Sequence, residues 1–168
     1  MDQADILFIL TDQQSADAMS CAGSDRLSTP AMDSISEQGV RFDSAYCTQP
    51  LCVPSRSSMV TGRYPHEAGV PYNVNPPDCR EATRVPWLGK LLSGAGYRTA
   101  WVGKWHLPVE PEATNVHGFS ITREARGNKL DDLVPGHCEE ILAAPSDKPL
   151  FLAASFVNPH DCCQAARD

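Results

Sequence analysis

Ile6-Leu7-Phe8-Ile9-Leu10-Thr11-Asp12-Gln13-Gln14 decides how the rest of the chain is read. An unbroken apolar run cut off by polar residues suits a strand buried on both faces. That is the pattern of a parallel sheet rather than of an antiparallel sheet with one wet face. Two later runs have the same form, Thr99-Ala100-Trp101-Val102-Gly103 and Leu150 to Val157. Helix signals lie between them. Thr29-Pro30 followed by Ala31 to Gln38 predicts a helix with Thr29 as N-cap, Pro30 as first helical residue and Gly39 as the stop. Pro54 opens a second helix that Gly62 closes, and Pro86 to Ser93 reads as a third. Asp131 to Ala144 reads as a fourth, shortened by Pro135 and Gly136. Val40 to Phe42 is expected as a short strand, and the proline-rich stretch Val70 to Arg84 as an irregular surface excursion. Strands alternating with helices predict an α/β domain with a mostly parallel sheet flanked by helices.

The bulk properties agree with that class and exclude others. The 168 residues suffice for one domain with its own core, and 42% hydrophobic with 21% charged residues is a globular composition. Net charge is -7 and no Lys/Arg stripe exists, which argues against nucleic acid as a partner. No apolar run approaches the ~20 residues needed to cross a bilayer. The first residues lack the basic flank and length of a signal peptide, so a cytoplasmic protein is expected, or a secreted or periplasmic one if a leader was removed. The 7 cysteines are odd in number and form no C-x-x-C pair, which points to reduced thiols rather than a zinc ribbon. Most of them read as small buried hydrophobes.

In parallel α/β sheets, ligands gather beyond the carboxyl ends of the strands. Polar clusters stand at those ends here: Asp12-Gln13, Lys104 with His106, and Asn158 with His160. Asp12 suits a hard divalent cation, which wants oxygen ligands, and Gln13 adds an amide oxygen. Taken alone, Asp12 reads better as the cap of a following helix. Cys52 stands just before a helix start, where the dipole favours a nucleophilic thiolate, and Arg56 lies about one turn on. A Cys/Arg phosphatase loop is excluded, since it separates the two by more residues and needs a glycine-rich cradle that Val53-Pro54-Ser55 does not supply.

Cys52-Val53-Pro54-Ser55-Arg56, continuing through Met59 to Thr61-Gly62-Arg63, resembles the signature of the type I sulfatases. Ile9 to Gln14 resembles that family's first metal-binding strand end. Gly103-Lys104-Trp105-His106-Leu107 resembles its Gly-Lys-Trp-His block, and Phe156-Val157-Asn158-Pro159-His160 its segment with a substrate-contacting His. Singly, Lys104 and His106 read as solvated loop residues and His160 as a turn residue; together the matches outweigh those readings. The resemblance implies an alkaline-phosphatase-like fold and hydrolysis of sulfuric esters. It implies that Cys52 is oxidised to Cα-formylglycine by a formylglycine-generating or sulfatase-maturing enzyme. It assigns Asp12, Gln13 and modified Cys52 to a Ca²⁺ (or Mg²⁺/Mn²⁺) site, with Gln13 in place of the commoner second Asp. Arg56 would hold the formylglycine diol, Lys104 and His160 would contact the sulfate, and His106 would hydrogen-bond the formylglycine.

The family pattern also includes a later Asp-His or Asp-Asn pair and a second Lys, for which no match follows His160 in this sequence. Residues 1–168 are therefore expected to be the N-terminal portion of a sulfatase catalytic domain, with little or no activity in isolation. The expected substrate is a small-molecule or saccharide sulfate ester. Two alternatives remain: a phosphonate or phosphate ester hydrolase of the same superfamily, and a non-catalytic binding module.

Overall fold

The structure is a computed structural model that describes residues 3–73, 81–124 and 130–162. In chain order its elements are β1 (Ile6–Asp12), α1 (Pro30–Gln38), α2 (Cys52–Thr61), α3 (Leu88–Gly94), β2 (Arg98–Gly103), α4 (Thr114–His117), β3 (Ile121–Arg123), α5 (Leu130–Ala143) and β4 (Leu150–Pro159). The strands form one sheet in the order β1-β4-β2-β3, and every pairing is parallel. The apolar runs at residues 6–10, 99–103 and 150–157 thus become strands of one parallel sheet flanked by helices, as their sequence predicts.

Alternation along the inner strands builds a core on each face. Trp101, Phe151 and Ala153 point to one side, where they meet Val53 and Val60 of α2, Trp87 and Phe119. Ala100, Val102, Leu150, Leu152 and Ala154 point to the other, against Leu130, Val134 and Ile141 of α5. Burying each large side chain of this kind contributes about 1.5–3 kcal/mol before the entropy of ordering is subtracted.

β1 departs from expectation. Phe8 and Leu10 pack on the first core, but Leu7 and Ile9 on the opposite face remain 56% and 49% exposed. The cause is position: β1 is at the sheet edge, and α5 packs over β4 and β2. Other corrections are local. Val40 to Phe42 is irregular and exposed rather than a strand, because no neighbouring strand pairs with it among the described residues. Thr29 sits at the N-cap of α1 but makes no cap hydrogen bond; its hydroxyl is turned to Ser20 and Asp33 instead. α2 begins at Cys52, so this residue is the first of the helix rather than its antecedent, and Gly62 closes the helix with φ 65°. α5 runs unbroken through Pro135, which forfeits only the bond its missing N–H would make one turn back. The excursion after Val70 is anchored at both described ends, by buried Val70 and Ala82; residues 74–80 between them lie outside the described residues. Cys79 and Cys163 also lie outside the described residues.

Candidate active site

Register places the site. In the interior of the sheet, Ser155 of β4 is level with Leu10 of β1 on one side and Gly103 of β2 on the other. The carboxyl ends of all three strands therefore open together, and Asp12, Lys104 and His160 follow them. Gly103 is a requirement of this convergence. Its φ is 92°, and a Cβ there would lie 2.0 Å from the Ser155 carbonyl oxygen. The close approach lets the Lys104 N–H donate to that oxygen at 2.8 Å.

α2 is laid across these strand ends with its first turn over them. Its N-cap residue, Leu51, has no polar side chain, so the Val53 N–H is satisfied from a distance by Asn73 Oδ1 at 3.0 Å. Cys52 faces Asp12, with Sγ 3.8 Å from Oδ1, and Lys104 Nζ lies 4.0 Å from the same sulfur. Arg56, one turn along α2, donates from Nη2 to Asp12 Oδ2 at 2.9 Å and from Nη1 to Ser155 Oγ at 2.8 Å and the Lys104 carbonyl at 3.1 Å. Lys104 Nζ adds a second ion pair to Asp12 Oδ2 at 2.7 Å. Asp12 and Arg56 are both buried, with side chains 9% and 5% exposed. Burial alone would raise the Asp12 pKa, but the Lys104 hydrogen bond and the Arg56 charge outweigh it and hold the carboxyl below its ordinary value. Two cations against one carboxylate leave a net positive charge, suited to an anion.

A cleft of about 720 Å³ opens over this cluster, lined by Asp12, Gln13, Cys52, Arg56, Asn73 and His160 among others. Gln13 and His106 both take positive φ, 60° and 42°, the left-handed region that non-glycine residues adopt at some cost and often at functional positions. His106 stands exposed at the rim. Partial desolvation, then the Lys104 and Arg56 cations, push its pKa below the ordinary histidine value, favouring a neutral ring. His160 follows a cis Asn158-Pro159 bond and reaches Asp161 at 3.2 Å. Its segment is held from below by Asp131 of α5, whose carboxylate accepts the Val157 and Asn158 N–H groups at 2.6 and 2.8 Å.

Asp12, Cys52 and His160 each offer one potential ligand atom, all within 4.8 Å of one another. That spread fits a common divalent ion. In a formylglycine the Cys52 Sγ position would be taken by hydroxyl oxygen, turning the soft member of the set into a hard one. With Gln13 lining the same cleft, the oxygens of Asp12, Gln13 and a modified residue 52 fit a hard divalent cation, though they do not by themselves fill a six- to eight-oxygen shell.

The structure therefore brings Asp12, Gln13, Cys52, Arg56 and His160 to one cleft, with Lys104 bonded to Asp12 and His106 at the rim. Sequence reasoning assigned no site role to Ser155, Asn73, Asp131 or Trp105. Ser155 carried a readable signal, as the polar residue inside the apolar run 150–157. Trp105, between Lys104 and His106, is buried and donates from Nε1 to the Val109 carbonyl at 2.6 Å. It anchors both flanking residues. Asn73 and Asp131 act across the fold on partners distant in sequence, and no local pattern marks them.

The family model for sulfatases matches residues 4–168. The N-acetylglucosamine-6-O-sulfatase of Bacteroides thetaiotaomicron is 42% identical, over 75% of this chain and 22% of its own length. An uncharacterized sulfatase, YidJ, of Escherichia coli K12 is 36% identical, over 95% of this chain and 39% of its own. Among solved structures, BT4656 in complex with its substrate D-glucosamine-2-N,6-O-disulfate superposes with a TM-score of 0.77 at 29% identity. That match covers 95% of this chain and 35% of the other. The chain thus spans between about a fifth and two fifths of the length of these relatives.

Proposed function

The chain belongs to the sulfatase family, and on that premise we propose that its complete protein hydrolyses sulfate esters, with a sulfated saccharide as the substrate class and modified Cys52 as the nucleophile. One observation supports this reading above the rest: Cys52 faces Asp12 at 3.8 Å within a cluster where Arg56 and Lys104 both pair with that carboxylate. A sulfate ester needs cationic partners for its oxygens and a nucleophile aligned behind sulfur, and the cluster offers both. The saccharide preference rests on the similarity to the N-acetylglucosamine-6-O-sulfatase and to BT4656 with its bound glucosamine disulfate.

Asp12, Gln13 and modified Cys52 would hold the divalent cation, which when bound supplies Lewis-acid polarisation of a sulfate oxygen. The remaining work falls to the chain's own side chains. Arg56 orients the modified Cys52 and balances the Asp12 charge. Lys104 and His160 reach the sulfate oxygens, Lys104 as a point charge and His160 as a hydrogen-bond donor. His106, kept neutral, holds the hydroxyl at position 52 through a ring nitrogen. The maturing enzyme would act on the Cys52 segment before it is closed under the 70–73 stretch.

Two measurements test the reading. Peptide mass analysis of protein from a host able to mature sulfatases should show Cys52 lighter by about 18 Da, the atoms exchanged when thiol becomes aldehyde; an unmodified thiol in all molecules counts against it. Comparing kcat/KM on an aryl sulfate and an aryl phosphonate should favour the sulfate, and a reversed preference replaces the reading with phosphonate ester hydrolysis.

A further inference from the structure

Ser155 is the fully buried hydroxyl at the centre of the site, and neither the signature around Cys52 nor the Gly-Lys-Trp-His block includes it. A buried hydroxyl within an apolar strand needs a partner, and here the partner is Arg56 Nη1 at 2.8 Å. The same residue's carbonyl receives the Lys104 N–H. One residue thus touches both cations that pair with Asp12, through its side chain and its backbone respectively.

The Arg56 guanidinium is a rigid planar fork whose donors are fixed relative to one another. Its Nη2 is aimed at Asp12, and Nη1 is shared between the Ser155 hydroxyl and the Lys104 carbonyl. Two backstops on Nη1 set the tilt of the plane, which then sets where Nη2 and the far edge point. With the hydroxyl gone, only the Lys104 carbonyl remains behind Nη1, at the longer distance of 3.1 Å. The fork could then pivot about that one contact while keeping its pair with Asp12. The strand geometry makes Ser155 suited to this task. It stands on the central strand, level with Leu10 and Gly103, and so cannot drift relative to the strand ends that carry Asp12 and Lys104.

We propose that Ser155 is a positioning residue that acts through Arg56: by accepting from Nη1 its hydroxyl fixes the guanidinium plane against Asp12 and so holds the nucleophile at position 52 in line with the ester. The proposal rests on the hydrolase reading above and deepens it.

The test is a double-mutant cycle in the full-length enzyme, comparing Ser155→Ala, Arg56→Lys and the pair, with Ser155→Thr as the rescue. Lysine keeps the charge but cannot span Asp12, the hydroxyl and the carbonyl together. Ser155→Ala is expected to lower kcat/KM by about 10- to 100-fold, the weight of a hydrogen bond to a charged group. The loss should fall mainly in kcat, with the thermal midpoint little changed. Ser155→Thr, which restores the hydroxyl, should recover most of it, and Ser155→Ala added to Arg56→Lys should cost less than about twofold. An activity of Ser155→Ala within twofold of wild type, or an equal loss in both Arg56 backgrounds, overturns the proposal. If Ser155→Thr fails to fold, the cycle alone decides. The cycle is read on an aryl sulfate and on an aryl phosphonate. Turnover of the phosphonate alone therefore removes the sulfatase reading while leaving the Ser155 question answered.

Discussion

Lys104 is the second of two cations on one carboxylate, its ammonium 2.7 Å from Asp12 and 4.0 Å from the position of the nucleophile. Lys104→Ala in the complete enzyme is expected to reduce kcat/KM by about 10²- to 10³-fold, as removal of one preorganised electrostatic partner does. Its unfolding midpoint should move little, because Arg56 still pairs with Asp12. Steady-state kinetics beside a thermal melt checks this, and parallel loss of both would mean that Lys104 is structural. The residues named by motif were legible because each lies in a short block whose spacing is visible along the chain. Ser155 stood out in the sequence only as a polar residue within an apolar run; its place between Leu10 and Gly103 is a property of register that sequence neighbourhood does not show. His106 was named, yet the lowering of its pKa follows only from the fold, through partial burial first and then the Lys104 and Arg56 charges.

Between strand end and site, short elements act as anchors. The turn after β2 carries Lys104, Trp105 and His106, and Trp105 is its root. It packs edge-on to Trp101 and to His117 at the end of α4, with ring centroids 5.5 and 4.8 Å apart. His117 is fully buried. Its Nδ1 accepts the Phe119 N–H, which places the ring proton on Nε2, donating to the Pro111 carbonyl. Desolvation lowers its pKa, partly offset by the Pro111 hydrogen bond. The sign follows directly. The unfolded chain takes up the proton first, so stability is full above the unfolded value of about 6.5 and declines as pH falls below it. Urea melts at pH 7.5 and 5.5 should show a smaller acid-side loss for His117→Gln than for wild type. An equal loss in both proteins would place the acid sensitivity elsewhere. α4 and β3, which complete this anchor, were illegible because four- and three-residue elements are too short to show a period. The helix over residues 52–61 was legible, since a proline near its start and a glycine after its end bracket it.

At the scale of the molecule the inner strands of the sheet are covered and the β1 edge is not. β2 and β4 are covered on both faces, while β1 leaves Leu7 and Ile9 exposed beside an edge that no strand pairs among the described residues. The run 6–10 therefore has the composition of an inner strand and the surroundings of an edge strand, and the sequence pattern reported the first but not the second. Apolar edges of this kind bind hydrophobic dyes and self-associate. The 168-residue chain alone should enhance the fluorescence of a naphthalene sulfonate dye, and Leu7→Lys with Ile9→Lys should reduce it; no difference between the two proteins would place the dye elsewhere. Among the described residues the candidate cation-binding set is also short of a full shell, so the proposed hydrolysis is tested on the complete protein. Its most direct test is turnover of an aryl sulfate by that protein with Cys52 intact and with Cys52→Ala. Metal-dependent hydrolysis that vanishes in the variant, to below about one part in 10³ of wild type, is the expected result. Near wild-type turnover by Cys52→Ala would contradict the assignment of residue 52 as the nucleophile.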